Sequence, residues 1–76
     1  MNKKKVRKVL KTLDETDKLI LSYMKDGLNQ KEISEKMHLL QIKPRSLSSI
    51  EKRLKLIREK FKARTNFHLA FIISIA

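Results

Sequence analysis

The sequence predicts an all-α domain of four helices, with an extra short helix or a basic arm at its N-terminus. Apolar residues recur three and four positions apart along most of the chain, which is the spacing of one face of a helix. The 76 residues include a single glycine and a single proline, so few breaks interrupt these helices. A chain of this length forms one domain with a small core, which leaves little room for a substrate pocket.

Residues 1–12 are predicted to be a basic arm or linker in front of the domain proper, which covers residues 13–76. Lysine and arginine dominate this segment, but its apolar residues are spaced as one helix face. A short docking helix, a basic arm and the end of a linker are therefore all compatible with the pattern. The apolar residues that define the helix face are Val6, Val9, Leu10 and Leu13.

The next helix is predicted to begin after Asp14, because aspartate caps helix starts well and acidic residues follow in the first turn. Gly27 is predicted to end it, since glycine adopts a left-handed backbone conformation at low cost. The buried face predicted for this helix consists of Leu19, Ile20, Tyr23 and Met24.

Asn29 is predicted to cap the following helix, with Glu32 at the distance of a capping box. This helix is predicted to end near His38. Residues 39–45 are predicted to form a connection, because Pro44 has no backbone donor and disfavours a helical residue before it. The side chains expected in the core are Leu28, Ile33 and Met37.

The third helix of the domain proper has the clearest apolar pattern, and either Ser46 or Ser48 is predicted to cap it. Its buried face is predicted to consist of Leu47, Ile50, Leu54, Ile57 and Phe61. A last helix is predicted from about residue 66 to residue 74. Apolar residues cover most of its circumference, which is more than one small core can bury.

The net charge of +11 is concentrated in two zones. Residues 1–13 contain six basic and no acidic side chains, and residues 43–65 contain nine basic and two acidic ones. Between them, residues 14–29 contain four acidic residues and two lysines. This distribution indicates a polyanionic partner, with nucleic acid as the first interpretation and an anionic membrane surface as the second.

No enzymatic activity, cofactor or metal site is expected. The chain has no cysteine to serve as a nucleophile or a metal ligand, and neither an HExxH motif nor a glycine-rich phosphate loop occurs. His38 and His68 are far apart in the sequence, and His38 is explained as a cation near a helix C-terminus. The absence of cysteine fits a cytoplasmic location.

Two short helices followed by a longer one, joined by a glycine turn and one connection, indicate a helix-turn-helix arrangement. The side of the longer helix opposite its apolar face carries basic and hydroxyl residues near its N-terminal half, as in helices that enter the major groove of DNA. The residues on this side are Ser48, Ser49, Lys52, Lys55, Leu56 and Glu59, with Arg53, Arg58 and Lys60 on its flanks.

The stretches LDETDKLILSYMKDGLNQKEISEKM and SLSSIEKRLKLIREKFKARTNFHL resemble the LuxR-type (GerE-type) helix-turn-helix family, and GLNQKEIS is the most specific piece. The resemblance covers residues 13 to about 73. It implies the DNA-binding output domain of a bacterial transcription factor, often a two-component response regulator with a receiver domain upstream. In this family the last helix commonly forms a homodimer, which here implies contacts by Phe67, Ala70, Phe71 and Ile73.

The resemblance places the base-reading positions at Glu51, Lys52 and Lys55, and a phosphate contact at Lys31. The connection before the third helix is six residues longer than in the family. The extra length would either change the direction of the third helix or lay Lys43 and Arg45 on the DNA backbone. Glu51 replaces a usual lysine, so the base preference at that position is expected to differ. The full set of expected DNA-contacting residues is Lys31, Lys43, Arg45, Ser48, Ser49, Glu51, Lys52, Arg53, Lys55 and Lys60.

Two other functions remain compatible with the sequence. Region 4 of sigma factors has a similar helix-turn-helix and binds both DNA and RNA polymerase. A protein-interaction module could also keep this fold and dimerise through residues 67–75 without binding DNA. The exposed lysine pair, Lys52 and Lys55, favours DNA binding over this second alternative, because a protein-interaction module has no need of it.

Overall fold

A computed structural model describes residues 2–75 and confirms the predicted all-α class. Within these residues the chain forms five helices and no strand. The molecule measures 34 × 20 × 19 Å along its principal axes. The helices, in chain order, are α1 (Lys3–Lys11), α2 (Glu15–Lys25), α3 (Gln30–Leu40), α4 (Leu47–Phe61) and α5 (Asn66–Ser74).

The basic N-terminal segment is a helix. Of the three predicted alternatives, namely a docking helix, a basic arm and the end of a linker, the structure shows the docking helix. The side chain of Asn2 caps it by accepting a hydrogen bond of 2.9 Å from the Lys5 amide. Val6 is fully buried in the common core, and α1 packs against α4. Burying one valine side chain stabilises the docked helix by about 1.5–3 kcal/mol. Residues 3–11 are therefore packed on the rest of the domain.

Helix α2 begins as predicted, but its buried face is turned relative to the prediction. The Asp14 side chain accepts a hydrogen bond of 2.8 Å from the Asp17 amide. Asp17 and Leu21 lie in the buried face, whereas Leu19 and Tyr23 are only half-buried. The reason is that the side of α2 that carries Asp17 faces α4, where the Asp17 carboxylate accepts a hydrogen bond from Arg53.

The predicted capping box of α3 is confirmed: Asn29 and Glu32 exchange hydrogen bonds of 2.9 and 3.0 Å. The predicted end at His38 is wrong, because the helix continues to Leu40. Gln41 then adopts a left-handed conformation with φ of 55°. The connection to α4 is therefore shorter than predicted and covers residues 41–46.

Three helices end with the same pair of backbone hydrogen bonds. After α2, α3 and α4 the residue in the left-handed conformation donates to a carbonyl three positions back, and the next residue donates to one five positions back. The left-handed residues are Gly27, Gln41 and Lys62, and the residues that follow them are Leu28, Ile42 and Ala63. Each of these following residues packs against the core, so each turn is held in place by an apolar contact.

We expect Gln41→Gly to stabilise the domain by about 0.5–1 kcal/mol, because glycine relieves the cost of the left-handed conformation. Lys36→Gly is the matched control, since it introduces the same residue inside α3, where glycine costs about 1 kcal/mol. Gly27→Ala should also cost about 1 kcal/mol from its backbone alone, as a Cβ there meets no atom within 4 Å. Thermal unfolding measures all three, and a decrease in Tm for Gln41→Gly would contradict the explanation.

The predicted apolar face of α4 is confirmed apart from its first residue. Ile50, Leu54, Ile57 and Phe61 are buried, but Leu47 is 44% exposed. Leu47 is the first helical residue, at the edge of the core rather than inside it. Ser46, one of the two predicted candidates, is the N-cap.

Helix α5 has the bounds that the sequence predicts and leaves large apolar side chains in solvent. Leu69 and Ile72 are buried against the core. Phe67, Phe71 and Ile75 are 85%, 59% and 41% exposed, and they lie on one side at intervals of four residues. We call these three residues the α5 apolar face. Among residues 2–75, no helix has the length and hydropathy needed to cross a bilayer.

Candidate nucleic-acid interface

The start of α4 is held in place by a contact that the sequence did not predict. The buried hydroxyl of Ser34, on α3, donates a hydrogen bond to the backbone carbonyl of Arg45. This bond fixes the end of the connection against α3 and therefore the point at which α4 begins. The sequence signal was weak, because a serine next to Ile33 on a helix is an ordinary feature.

Four of the predicted DNA-contacting residues line one surface groove, which we call the outer groove. It lies between the start of α3 and the solvent side of α4. Its lining combines cationic, hydroxyl and amide groups with one carboxylate, which are the groups that reach base edges and phosphates in DNA complexes. The lining residues are Gln30, Ser48, Glu51, Lys52, Lys55 and Arg58.

A second groove, the side groove, runs along the other flank of the first turns of α4. The connection supplies one wall and α4 the other. It brings the two cations of the connection next to the recognition helix predicted from the sequence. The lining residues are Lys43, Pro44, Arg45, Ser46, Ser49 and Arg53.

Ser49 takes part in the cap of α4 and also lines the side groove. Its amide donates a hydrogen bond of 3.3 Å to the Ser46 hydroxyl oxygen. The Ser46 hydroxyl in turn donates a bond of 2.8 Å to the Ser49 hydroxyl oxygen. The Ser49 hydroxyl is thereby oriented by the protein and keeps its own proton for a further acceptor.

Arg53 has partners other than the predicted phosphate. Its guanidinium donates to a carboxylate oxygen of Asp17 at 2.7 Å and to one of Asp14 at 3.2 Å. The Asp17 side chain is only 11% exposed, and that of Arg53 is 34% exposed. Arg53 therefore ties α4 to the beginning of α2, and its charge is offset by two carboxylates. A residue that contacts DNA phosphates is expected to be exposed and without a carboxylate partner, whereas Arg53 is held by two carboxylates of α2 and its N-cap.

The same cluster shifts two pKa values. The backbone hydrogen bond from the Asp17 amide lowers the pKa of Asp14, and the hydrogen bond and charge of Arg53 lower it further. The hydrogen bond to the Asp17 side chain raises the pKa of Arg53. Asp14 and Arg53 therefore favour their charged forms at neutral pH, and the contact between them remains ionic.

The remaining predicted cations are exposed and differ in position. Lys31, at the start of α3, lines a third groove together with Leu47 and Glu51, next to the outer groove. Lys60 is exposed near the C-terminal end of α4 and lines neither the outer nor the side groove. It lies about 18 Å along the helix axis from Ser48. The structure thus brings Lys31 close to the outer groove and leaves Lys60 apart from it.

The cations of the outer and side grooves, except Arg53, form no close ion pair within the described residues. Among residues 2–75, ion pairs with a nitrogen–oxygen distance of 4.0 Å or less involve only Lys18 and Arg53 among the basic residues. Lysine and arginine side chains that are not held in an ion pair are free to bind an external anion. The cations of the two grooves to which this applies are Lys43, Arg45, Lys52, Lys55 and Arg58, and it applies also to the neighbouring Lys31.

The predicted dimer residues on α5 fall into two groups. Phe67 and Phe71 belong to the α5 apolar face, whereas Ala70 and Ile73 are half-buried and pack against the core. Ile75, which was predicted to take part only within the range 67–75 of the interaction module, lies four residues after Phe71 on the same side. The exposed apolar side therefore includes only two of the four predicted residues, and the other two face the core.

Comparison of the chain with protein-family models, with curated proteins and with solved structures finds no match.

Proposed function

We propose that this chain binds double-stranded DNA sequence-specifically as the DNA-binding domain of a bacterial transcriptional regulator in the cytoplasm. Helix α4 enters the major groove, and two copies bind together through α5. The observation that carries the proposal is the outer groove, where Lys52 and Lys55 are exposed, form no ion pair within residues 2–75 and share the groove with Ser48. These groups lie on the solvent side of α4, in an open surface groove rather than in a closed pocket.

The dimensions of α4 support this placement. Its fifteen residues make a helix about 22 Å long, and a helix with side chains is 10–12 Å across. The major groove of B-DNA is about 12 Å wide and accepts one such helix. With α4 in the groove, Lys52 and Lys55 reach base edges, while Lys31 on one side and Lys43 and Arg45 on the other contact the flanking phosphates.

Binding selection from a randomised duplex library tests the proposal directly. At about 150 mM salt, non-specific attraction is weakened and base contacts dominate the enrichment. We expect an enriched sequence composed of two half-sites about one helical turn, or roughly 10 base pairs, apart. An unenriched library, with binding that disappears as salt rises, would refute sequence-specific recognition.

Lys52→Ala is expected to weaken binding to the selected duplex by about 1–3 kcal/mol, because Lys52 lies in the outer groove and faces solvent. The fold should not change, since the side chain makes no ion pair within residues 2–75. Lys18→Ala is the matched control, as it removes one exposed lysine from α2. Fluorescence anisotropy measures both affinities, and equal affinities for the two variants would remove Lys52 from the interface.

The α5 apolar face favours one other function, a protein-interaction module that dimerises without binding DNA. Phe67 and Phe71 are large, exposed and adjacent, and such patches commonly mark protein contacts. The two functions differ in the role of α4. A pure interaction module would dimerise normally but show no enrichment in the library selection.

A further inference from the structure

The cations of α1 are the largest charged surface that the proposed interface leaves unused. This helix has six lysine and arginine residues among nine and no acidic residue. All six are exposed, and none forms an ion pair within the described residues 2–75. Lys4, Lys8 and Lys11 are spaced as one stripe on the side opposite the buried Val6. We call these three residues the α1 lysine stripe.

Helix α1 lies along the flank of α4, in the opposite chain direction. At its start, Lys5 lines a cleft together with Phe61 and Lys62 from the end of α4. At its other end the chain continues into Asp14, which binds Arg53 in the first half of α4. Arg53 also lines the side groove, so the end of α1 adjoins the flank of α4 that carries the cations of the connection.

We propose that the α1 lysine stripe is a second nucleic-acid contact, which binds the phosphate backbone of duplex DNA beside the groove that α4 occupies. This inference rests on the proposed function and extends it to a surface outside the helix-turn-helix. Packed helices lie 8–10 Å apart, and a major groove about 12 Å wide has room for one of them. Because the end of α1 adjoins the side-groove flank of α4, the proposal places α1 at that edge of the major groove, where the phosphates are.

The spacing of the stripe fits a row of phosphates. Lys4 and Lys11 are seven residues apart, which corresponds to about 10 Å along the helix. This distance is the rise of about three base pairs in duplex DNA. The contact carries no base preference of its own, because lysines bind phosphates as point charges. It adds affinity and extends the footprint on one side of each half-site.

The packing of α1 argues against a membrane surface as the partner. A helix that lies on a bilayer inserts its apolar face between the headgroups. The apolar face of α1 is already occupied, because Val6 is fully buried and Val9 and Leu10 pack against the core. Only the charged side is left to meet a partner, and a rigid row of phosphates needs no apolar insertion.

The test compares two triple variants of the full chain that lose the same charge. The first is Lys4→Gln, Lys8→Gln and Lys11→Gln. The control is Lys18→Gln, Lys36→Gln and Arg64→Gln, which removes three exposed cations from α2, α3 and the turn before α5. Affinity for the selected duplex is measured against salt concentration, and circular dichroism verifies that both variants are folded.

For the first variant we expect the slope of log K against log salt to fall in magnitude by about 2–3, since each lost phosphate contact removes about 0.9. The base preference in the library selection should not change. The control should keep the wild-type slope. Equal slopes for the two variants, while Lys52→Ala still weakens binding, would overturn the α1 contact and leave the proposed function intact.

Two further outcomes are decisive. If Lys52→Ala also has no effect and the library shows no enrichment, the proposed function fails, and the α1 contact fails with it. Vesicles of phosphatidylserine and phosphatidylcholine provide the probe for a membrane. If the first variant loses vesicle binding but keeps its salt slope on DNA, the α1 lysine stripe binds anionic lipid, and the inference is wrong.

Discussion

Replacing Arg53 with methionine should destabilise the domain by about 2–3 kcal/mol, because the substitution leaves the nearly buried carboxylate of Asp17 without its partner. Methionine keeps the length of the apolar stem, so the packing of α4 against α2 is largely preserved. Breaking a fully buried ion pair costs about 3–5 kcal/mol, and the loss is smaller here because the Arg53 side chain is partly solvated. The free energy of unfolding of a domain of this size is roughly 4–11 kcal/mol in total.

Thermal unfolding measures this effect as a fall in Tm of about 10–20 °C. Lys60→Met is the matched control, since it removes an exposed cation from the same helix and should shift stability by less than about 0.5 kcal/mol. Adding Asp17→Asn to Arg53→Met should restore part of the loss, because the orphaned charge is then absent. The variant should retain its half-site affinity well below its Tm.

A different result would return Arg53 to the DNA interface. If Arg53→Met is as stable as Lys60→Met but binds DNA more weakly, the contacts with Asp14 and Asp17 contribute little and the guanidinium binds phosphate. The two roles predict opposite changes in stability and affinity, so one pair of measurements distinguishes them.

The sequence predicted those features that depend on neighbouring residues. The capping box of Asn29 and Glu32 and the glycine that ends α2 require residues within a few positions of each other. The bounds of α5 follow from an apolar segment that begins after the capping residue Thr65. Local hydrogen bonds and the 3.6-residue period determine these elements, and both are visible in a single sequence.

The features that were missed depend on residues distant in the sequence. Arg53 meets its carboxylates across 36 and 39 positions, and Ser34 meets the Arg45 carbonyl across 11. The turned face of α2 follows from the first of these contacts, since burying Asp17 is favourable only with a guanidinium opposite it. The apolar period alone favoured Leu19 and Tyr23, because it contains no information about such a partner.

Much of the candidate site was predictable for a simple reason. Five of the six residues of the outer groove lie on α4, so their common side follows from the helical period. The side groove was predictable only as a possibility, because the position of Lys43 and Arg45 depends on how the connection folds. The α1 lysine stripe was visible as a charge pattern, but only the burial of Val6 shows that it belongs to the packed domain.

The α5 apolar face is too small to form a stable dimer by itself. Its three side chains expose roughly 350 Å² in each copy, given that an aromatic side chain presents about 150–250 Å². Stable protein interfaces bury about 800 Å² on each partner. Two copies should therefore pair weakly in free solution and firmly only when adjacent half-sites hold them together.

Phe71→Glu is expected to convert this DNA-bound dimer into independently bound monomers. Phe71 lies in the middle of the α5 apolar face and is 59% exposed, so the domain tolerates glutamate there, whereas two opposed carboxylates at the dimer contact would repel each other. Affinity for a duplex with both half-sites should fall on the order of 100-fold, because the gain from simultaneous binding is lost. Affinity for a single half-site should change little.

Analytical ultracentrifugation on the two-site duplex measures the number of bound copies, and Leu39→Glu supplies the control. Leu39 is an exposed large apolar residue at the end of α3, so the control has the same charge change outside α5. We expect cooperative two-copy binding for the wild type and for Leu39→Glu, and stepwise binding for Phe71→Glu. If the wild type also binds one copy at a time, the α5 apolar face does not pair the two copies on DNA, and the proposed dimer is wrong.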